Sequence, residues 1–297
     1  MKNNFEMSPL VFGAWRLADV PAEANPDSVA RKITMALEHG ITTFDHADIY
    51  GNYECEDLFG RAVAKHGIPR EKMKLITKCG IKLVSTNRPQ HGIKTYDTSA
   101  KHIVTSVETS LKNLRTDSID LLLIHRPDPL MNPAEVNETF NTLHKQGKVK
   151  AFGVSNFTTT QVRMLQSQLT LPLVSNQIEF SVLNNTAMFN GQLDQCIEMN
   201  MVPMAWSPLA GGRLFTQTDE RSMRLRECLS TLAKKYNVTS PETIAYAWLM
   251  RHPSRVVPVL GTGKEERLKA AVGALKVQLE HEDWFHILKA SVGHDVP

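Results

Sequence analysis

The run Leu121-Leu122-Leu123-Ile124 places four large aliphatic residues in succession, between Asp120 and His125. A strand with one wet face alternates apolar and polar residues, whereas a parallel-sheet strand covered on both faces forms a continuous apolar run. Comparable short runs recur along the chain, each followed by a longer amphipathic stretch. The sequence therefore predicts a parallel sheet with helices packed on its faces.

Eight strands can be assigned outward from this run: Val11–Trp15, Thr42–Ala47, Lys74–Cys79, Ile119–His125, Ala151–Asn156, Ser175–Phe180, Val202–Ser207 and Val256–Gly261. The helical stretches that follow them are Asp27–His39, Glu56–Lys65, Ser99–Leu114, Pro133–Gln146, Thr159–Ser167, Thr186–Asn200, Pro241–Met250 and Lys264–Leu275. Eight such units without a break favour a closed (β/α)8 barrel over an open doubly wound sheet.

A nucleotide-binding motif typical of the open doubly wound sheet is also missing from the sequence. A nucleotide-binding open sheet carries Gly-x-Gly-x-x-Gly after its first strand, and here that place holds Gly13-Ala14-Trp15-Arg16-Leu17. We therefore predict an α/β fold of the (β/α)8 TIM-barrel type, with one domain spanning residues 1–297.

Composition excludes several classes of protein. With 42% hydrophobic residues and a net charge of +3, the chain is an ordinary globular sequence and not a disordered one. Its nearest approach to a basic stripe is Arg221, Arg224 and Arg226, which is typical of a solvated helix face, so nucleic acid is not expected as a partner. The longest uncharged stretch, Met164–Ile178, is too short and too polar to span a membrane, and Met1–Ser8 lacks a signal-peptide core.

The four cysteines are Cys55, Cys79, Cys196 and Cys228. They are widely separated and form no Cys-x-x-Cys pair, so we expect a reduced, cytoplasmic protein without a metal site.

Polar residues stand where three consecutive strands end. The second strand runs into Phe44-Asp45-His46-Ala47-Asp48-Ile49-Tyr50-Gly51, the third ends Thr77-Lys78-Cys79-Gly80, and the fourth ends Leu123-Ile124-His125-Arg126-Pro127. Active sites of (β/α)8 barrels lie at the carboxyl ends of the strands. We therefore expect the side chains of Asp45, Tyr50, Lys78 and His125 to meet at one mouth of the barrel.

These four residue types suit protonation of an oxygen on which negative charge develops. A tyrosine titrates near 10, and an adjacent ammonium at about 4 Å is worth roughly 4 kcal/mol at an effective dielectric of 20, which lowers that pKa. The carboxylate holds the lysine charged, and the histidine orients the substrate oxygen. Taken singly, Lys78 and Asp45 could be a buried ion pair, His125 a core histidine and Tyr50 a loop aromatic. Their convergence favours carbonyl reduction.

The same residues resemble the aldo-keto reductase superfamily. The matching motifs are Phe44–Gly51, Ile76-Thr77-Lys78, Leu122–His125, Gly153-Val154-Ser155-Asn156-Phe157 and Ala205-Trp206-Ser207-Pro208-Leu209. Within that superfamily, His125–Leu130 and Gly293–Pro297 are similar to the bacterial YdhF-type oxidoreductases.

The resemblance implies an NADPH-dependent reductase that uses no metal and acts on a small carbonyl compound. Tyr50 would be the proton donor, assisted by Lys78, Asp45 and His125. The residues implied to bind the cofactor are Ser155, Asn156 and Gln177 at the carboxamide, Trp206 on the nicotinamide ring, Ser207, Pro208, Leu209, Gly211 and Gly212 around the pyrophosphate, and Gly261, Thr262, Gly263, Lys264 and Arg267 at the adenosine 2′-phosphate.

Three further expectations concern single positions. Many members of the superfamily contact adenine through a Glu-Asn pair where this chain has Ala270-Ala271, so we do not expect those adenine contacts here. Trp15 is expected to line the substrate pocket, although core packing explains an aromatic there nearly as well. Cys79 is expected to be a small buried hydrophobe, because strand side chains alternate and Lys78 points inward.

Two other functions are compatible with parts of this pattern. One is an NADPH-binding regulatory or auxiliary protein with slow turnover. The other is an aldolase in which Lys78 forms a Schiff base, although such an enzyme does not require Ser155-Asn156 or Trp206. Substrate choice is expected to lie in the loops Thr86–Asp97 and Arg213–Arg221, and a monomer is favoured.

Overall fold

A closed parallel barrel of eight strands organises the computed structural model, which describes residues 5–295 of the chain. Its strands are β1 (Val11–Gly13), β2 (Thr43–Asp45), β3 (Lys74–Cys79), β6 (Leu121–Ile124), β7 (Phe152–Ser155), β8 (Leu173–Glu179), β9 (Val202–Trp206) and β10 (Val257–Leu260). The barrel order is β1-β10-β9-β8-β7-β6-β3-β2, so the predicted (β/α)8 fold is confirmed. Val296 and Pro297, the end of a quoted motif, lie outside the described residues.

The helices follow the strands around the barrel. They are α1 (Pro26–Glu38), α2 (Tyr50–Tyr53), α3 (Cys55–His66), α4 (Ala100–Leu114), α5 (Pro133–Lys145), α6 (Thr159–Gln166), α7 (Thr186–Phe189), α8 (Gln192–Glu198), α9 (Arg213–Thr216), α10 (Glu220–Lys235), α11 (Pro241–Met250), α12 (Glu265–Gly273) and α13 (His281–Val292). Within residues 5–295, none of these helices is both long and apolar enough to cross a bilayer.

Side-chain caps fix where several of these helices begin. Asn25 accepts a hydrogen bond from the Ser28 N–H at the start of α1, and Thr158 forms a capping box with Gln161 at the start of α6. Each cap satisfies an N–H group that the first turn of a helix leaves without an intrahelical partner.

One predicted helix is two helices in the structure. The stretch Thr186–Asn200 was expected to be continuous, but α7 ends at Phe189 and α8 begins at Gln192. Between them Gly191 has φ 81°, a left-handed conformation that interrupts a regular right-handed helix. The stretch Lys264–Leu275 is also not one continuous helix: α12 ends at Gly273, and a 3-10 turn, Ala274–Lys276, follows it.

A short antiparallel hairpin was not predicted. Its strands are β4 (Ile81–Lys82) and β5 (Thr95–Tyr96), with Ile81 opposite Tyr96 in register. Strands of two residues are too short to give a periodic signal. The hairpin follows directly on β3, so its loop begins close in sequence to Lys78.

The chain divides into two compact units, Met1–Asn176 and Gln177–Pro297. In the first unit β6 is buried throughout, as its apolar run predicts, and Phe140 stacks on Phe152 with ring centroids 4.0 Å apart. In the second unit Trp248 is fully buried and stacks on Trp284 at 5.1 Å. Each unit therefore has an apolar interior of its own.

Candidate active site

Strand register in the first unit brings the ends of β2, β3 and β6 to one level. Asp45, the last residue of β2, pairs with Ile76, and Lys78 of β3 pairs with Leu123. Backbone bonds continue beyond the strands, since the Asp48 N–H donates to the Lys78 carbonyl at 3.1 Å and the His125 N–H donates to the Cys79 carbonyl at 2.8 Å. The side chains of three successive segments are therefore held together at one mouth.

The ammonium group of Lys78 lies in a buried cage of three oxygen atoms. Its Nζ donates to Asp45 Oδ2 at 2.7 Å, to the His46 carbonyl at 2.7 Å and to the Tyr50 hydroxyl at 2.9 Å. The side chain is 0% exposed. Burial lowers the pKa of Lys78, but the neighbouring Asp45 and Tyr50 outweigh it and raise that pKa above its ordinary value. The lysine is therefore charged at neutral pH.

The Lys78 ammonium contacts both the hydroxyl and the ring of Tyr50. The Lys78 Nζ lies 4.7 Å from the ring centroid as well as within hydrogen-bond distance of the hydroxyl. Lys78 lowers the pKa of Tyr50, as the sequence predicts, but burial has the larger effect and the pKa is raised overall. The lowering expected from the lysine is therefore present, but burial sets the net direction. The hydroxyl keeps its proton at neutral pH and can act as an acid.

His125 completes the group as an uncharged ring. Burial, followed by the charges of Lys78, Arg126 and Lys94, lowers the pKa of His125 well below its ordinary value. Its ring meets the Tyr50 ring edge-on with centroids 5.9 Å apart. Among the described residues, nothing forms a hydrogen bond with the buried Nδ1 of His125. A neutral imidazole of this kind carries one N–H, which can donate to a substrate oxygen.

Trp15 lies beside this group and is 56% exposed. Its ring centroid is 6.5 Å from that of Tyr50. Core packing is therefore the wrong explanation for this aromatic residue, and its place beside Tyr50 agrees with a role at the substrate opening.

Two buried carboxyl groups near Lys78, those of Asp48 and Glu56, were not identified from the sequence. Glu56 of α3 accepts a hydrogen bond from the Thr77 hydroxyl at 2.6 Å and is 2% exposed. Burial raises the pKa of Asp48 to about 8 and also raises that of Glu56. Cys79 lies near both, and burial raises the pKa of its thiol well above the ordinary value. Cys79 is thus protonated and buried, as expected for a small hydrophobe.

A left-handed turn directly follows Tyr50. Gly51 has φ 55° and ψ 40°, Asn52 has φ 60° and ψ 39°, and Tyr53 has φ 71°. This conformation costs about 1–2 kcal/mol for each residue other than glycine, and somewhat less for asparagine. The glycine at position 51 is the one sequence signal that could have indicated the turn.

Two of the predicted cofactor-binding residues lie in the first unit beside His125. Ser155 is the last residue of β7 and is 1% exposed, and Asn156 follows it with φ 62°. The Asn156 amide nitrogen donates to Ser155 Oγ at 2.8 Å and to the His125 carbonyl at 3.4 Å.

Other predicted cofactor-binding residues lie in the second unit. Gln177 of β8 is 3% exposed, with its amide nitrogen 4.0 Å from Met204 Sδ. Trp206 is the last residue of β9, and the segment after it contains Ser207, Pro208, Leu209, Gly211 and Gly212. Left-handed φ angles recur in it, at Ser207 (50°), Ala210 (53°), Gly211 (66°) and Gly212 (95°). Successive turns of this kind present backbone N–H groups toward an anion.

The segment after β10 leads into α12 through Gly261, Thr262, Gly263 and Lys264. Lys264 and Arg267 are exposed, and Nε of Arg267 lies 3.9 Å from a carboxylate oxygen of Glu242. Both cations thus stand at the N-terminal end of a helix, where anions bind favourably. Ala271, at the position of the absent Glu-Asn pair, is fully buried in this unit.

The described residues include no group of three or more His, Cys, Asp or Glu side chains that could hold a metal ion. Separately, the mouth of the barrel in the first unit holds a charged lysine, a protonated tyrosine and a neutral histidine.

Comparison with known proteins assigns the chain to a family. Residues 9–291 match the Aldo/keto reductase family. The chain is 47% identical to the "Uncharacterized oxidoreductase YcsN" of Bacillus subtilis, with 100% of this chain and 98% of that protein covered. It is 46% identical to "Oxidoreductase YdhF" of Escherichia coli, with 98% and 96% covered. It is 42% identical to a "6-dehydroglucose reductase" of Agrobacterium fabrum, with 100% and 98% covered.

Solved structures share the fold of this chain. The thermostable aldo-keto reductase Tm1743, solved with the inhibitor epalrestat, superposes with a TM-score of 0.82 at 25% identity, covering 97% of both chains. An aldo/keto reductase from Klebsiella pneumoniae, solved with NADP and acetate, has a TM-score of 0.76 at 21% identity, covering 95% of this chain and 90% of that one. This chain belongs to the aldo/keto reductase family. It is an oxidoreductase of that family, similar to the YdhF and YcsN proteins.

Proposed function

We propose that the protein is an NADPH-dependent reductase of a small aldehyde or ketone, with Tyr50 as the proton donor. The observation that carries the proposal is the contact of 2.9 Å between the Lys78 ammonium and the Tyr50 hydroxyl, inside a buried cage that Asp45 completes. That geometry stabilises the phenolate that forms when the proton leaves.

Each of the four residues has a separate role in protonating the substrate oxygen. The neutral His125 ring donates its N–H to the carbonyl oxygen and orients it. Tyr50, protonated at neutral pH, transfers its hydroxyl proton to that oxygen as negative charge develops there. Lys78 holds the resulting phenolate until solvent restores the proton, and Asp45 keeps Lys78 charged and in place.

The cofactor-binding positions fit an NADP(H) molecule by their chemistry. Residues with left-handed backbone after β9 present N–H groups suited to a pyrophosphate, and a Cβ built on Gly212 meets no atom within 4 Å, so this loop is open to a ligand. Lys264 and Arg267 supply positive charge for a 2′-phosphate. Bound NADPH supplies the hydride that reduces the carbonyl carbon, while the protein supplies the proton.

The completeness of the set favours turnover over an auxiliary role. Asp45, Tyr50, Lys78 and His125 are all present and in contact distance in the first unit. The two relatives named 6-dehydroglucose reductase, at 42% and 38% identity, make an aldehyde of a sugar the first substrate to test. We also propose a cytoplasmic location, which the four cysteines, free in the described structure, support.

Cofactor titration followed by a carbonyl panel tests this proposal. We expect NADPH to bind about ten-fold or more tightly than NADH, and the variant Arg267→Ala to weaken NADPH without changing NADH, because a guanidinium–phosphate pair contributes on the order of 1.5–3 kcal/mol. Oxidation of NADPH is then followed with 6-dehydroglucose and a series of simple aldehydes and ketones.

The variant Tyr50→Phe isolates the assigned acid. It removes one oxygen atom and should abolish turnover while leaving NADPH affinity unchanged. Full activity in this variant would show that the acid is another group, and the absence of turnover in the wild type across the panel would favour the auxiliary role.

A further inference from the structure

The left-handed turn after Tyr50 needs support from outside itself. Glycine adopts this conformation freely at position 51, where in addition a Cβ would lie 2.5 Å from Cys55 Sγ. Asn52 and Tyr53 carry side chains that disfavour the same conformation, and they hold it at φ 60° and 71°. Two strained residues in succession next to a proton donor persist only where surrounding contacts fix them.

The loop of residues 83–91, between the hairpin strands β4 and β5, supplies those contacts. The Tyr53 hydroxyl donates to the Leu83 carbonyl at 3.3 Å and accepts from the Leu83 N–H at 2.8 Å. The Asn87 amide nitrogen donates to the Asn52 carbonyl at 2.9 Å and to Glu54 Oε1 at 3.0 Å. The Arg88 guanidinium lies 4.4 Å from the Tyr53 ring centroid.

We propose that Asn87 and Tyr53 are positioning residues that hold the turn of residues 51–53 and so set the place of the Tyr50 hydroxyl. This inference rests on the proposed role of Tyr50 as the acid. Tyr50 is tied to the turn through its own backbone, because its carbonyl accepts a hydrogen bond from the Glu54 N–H at 3.1 Å.

The location of these contacts argues that they serve the site more than the fold. Asn87 is exposed, whereas the core of this unit is formed by buried aliphatic and aromatic residues. An exposed hydrogen bond adds little net stability, but a displacement of about 1 Å at a reacting group can reduce the rate by on the order of 100-fold. Loss of Asn87 should therefore show in turnover before it shows in stability.

Kinetics of the full-length enzyme with NADPH and its best carbonyl substrate test the proposal. We expect Asn87→Ala to lower kcat by about ten-fold, with the melting temperature and the Kd for NADPH unchanged. Tyr53→Phe keeps the ring beneath Arg88 but loses both contacts with Leu83, and should lower kcat in the same way. Val84→Ala, at a 53% exposed position of the same loop but outside the predicted substrate loop Thr86–Asp97, is the matched control and should leave kcat unchanged.

A rescue variant separates positioning from other roles. Glycine adopts the left-handed conformation without support, so Asn52→Gly combined with Asn87→Ala should recover most of the lost kcat. Full activity of Asn87→Ala would overturn the proposal. A loss of kcat that Asn52→Gly does not rescue would also overturn it, because Asn87 would then act directly on the substrate. Tyr50→Phe is measured in parallel, and if it stays active, the assigned acid is wrong.

Discussion

Replacing Asp45 by Asn should leave the Lys78 ammonium buried without its partner charge. The two side chains are 0% and 3% exposed, and their charged atoms are 2.7 Å apart. At that distance, and at an effective dielectric of 20, the direct attraction is about 6 kcal/mol. Desolvation offsets part of it, and removal of one member of a buried pair typically destabilises a protein by about 3–5 kcal/mol. We therefore expect Asp45→Asn to lower the free energy of unfolding by about 3–5 kcal/mol.

The measurement is a double-mutant cycle by urea denaturation. Lys78→Met replaces the ammonium by an apolar side chain of adaptable shape, so the double variant with Asp45→Asn has no stranded charge and should recover a large part of the lost stability. The expected coupling energy exceeds about 2 kcal/mol. Both variants that carry Lys78→Met should lack turnover, since the phenolate of Tyr50 loses its stabilising charge. Asp45→Asn alone should lower turnover, because Lys78 loses the carboxylate that keeps it charged and in place.

The exposed pair Asp57–Arg61 is a matched control. Its charged atoms are also 2.7 Å apart, but both side chains are 47% exposed. Exposed pairs contribute roughly 0–1 kcal/mol. A coupling energy for Asp45 and Lys78 no larger than that of this control would refute the argument that burial makes the pair strong.

Three other predictions follow from single features of the first unit. Asp120 is buried, which raises its pKa, but hydrogen bonds from the Leu75 N–H and from two cations outweigh burial and lower the pKa overall. The ionised Asp120 therefore stabilises the fold above the unfolded pKa of 3.8, and this stabilisation is lost as the pH falls below 3.8. Asp120→Asn should cost about 1–3 kcal/mol at pH 7 and progressively less as the pH falls below 3.8, as thermal melts across that pH range would show. Because His125 titrates well below 6.5, kcat/KM should show no inflection near that pH, and an inflection there would mean that the ring is charged. A Cβ on Gly60 would lie 2.0 Å from a backbone oxygen, so Gly60→Ala should destabilise by about 1–3 kcal/mol, whereas Gly92→Ala, with open space around it, should not.

The sequence predicts the barrel well because each strand carries its own signal. The apolar run Leu121–Ile124 is enough to identify β6 as buried on both faces, and the predicted Lys74–Cys79 has the bounds of β3. The exact first and last residues of the strands are harder to predict, because a strand ends where its hydrogen bonds to the neighbouring strands end. The stretch Thr186–Asn200 shows the same limit for helices, since periodicity continued across a glycine that the fold uses as a break.

For the site, residue type and strand position are enough to bring Asp45, Lys78 and His125 together. Burial depth is not readable from a motif, so the sequence predicts that Lys78 lowers the Tyr50 pKa but not the larger rise that burial causes. Glu56 approaches Thr77 only through the packing of a helix on a strand, so the sequence gives no local signal for that contact.

The cage around Lys78 has a consequence for its reactivity as an amine. A lysine that donates to three oxygen atoms, with a raised pKa and no exposed surface, presents no free lone pair to an electrophile. Carbonyl compounds condense with unprotonated amines, so an aldehyde bound at Tyr50, as proposed above, would lie close to a lysine that does not form an imine with it. The arrangement proposed to stabilise the phenolate would thus also protect the protein from covalent modification by its own proposed substrates.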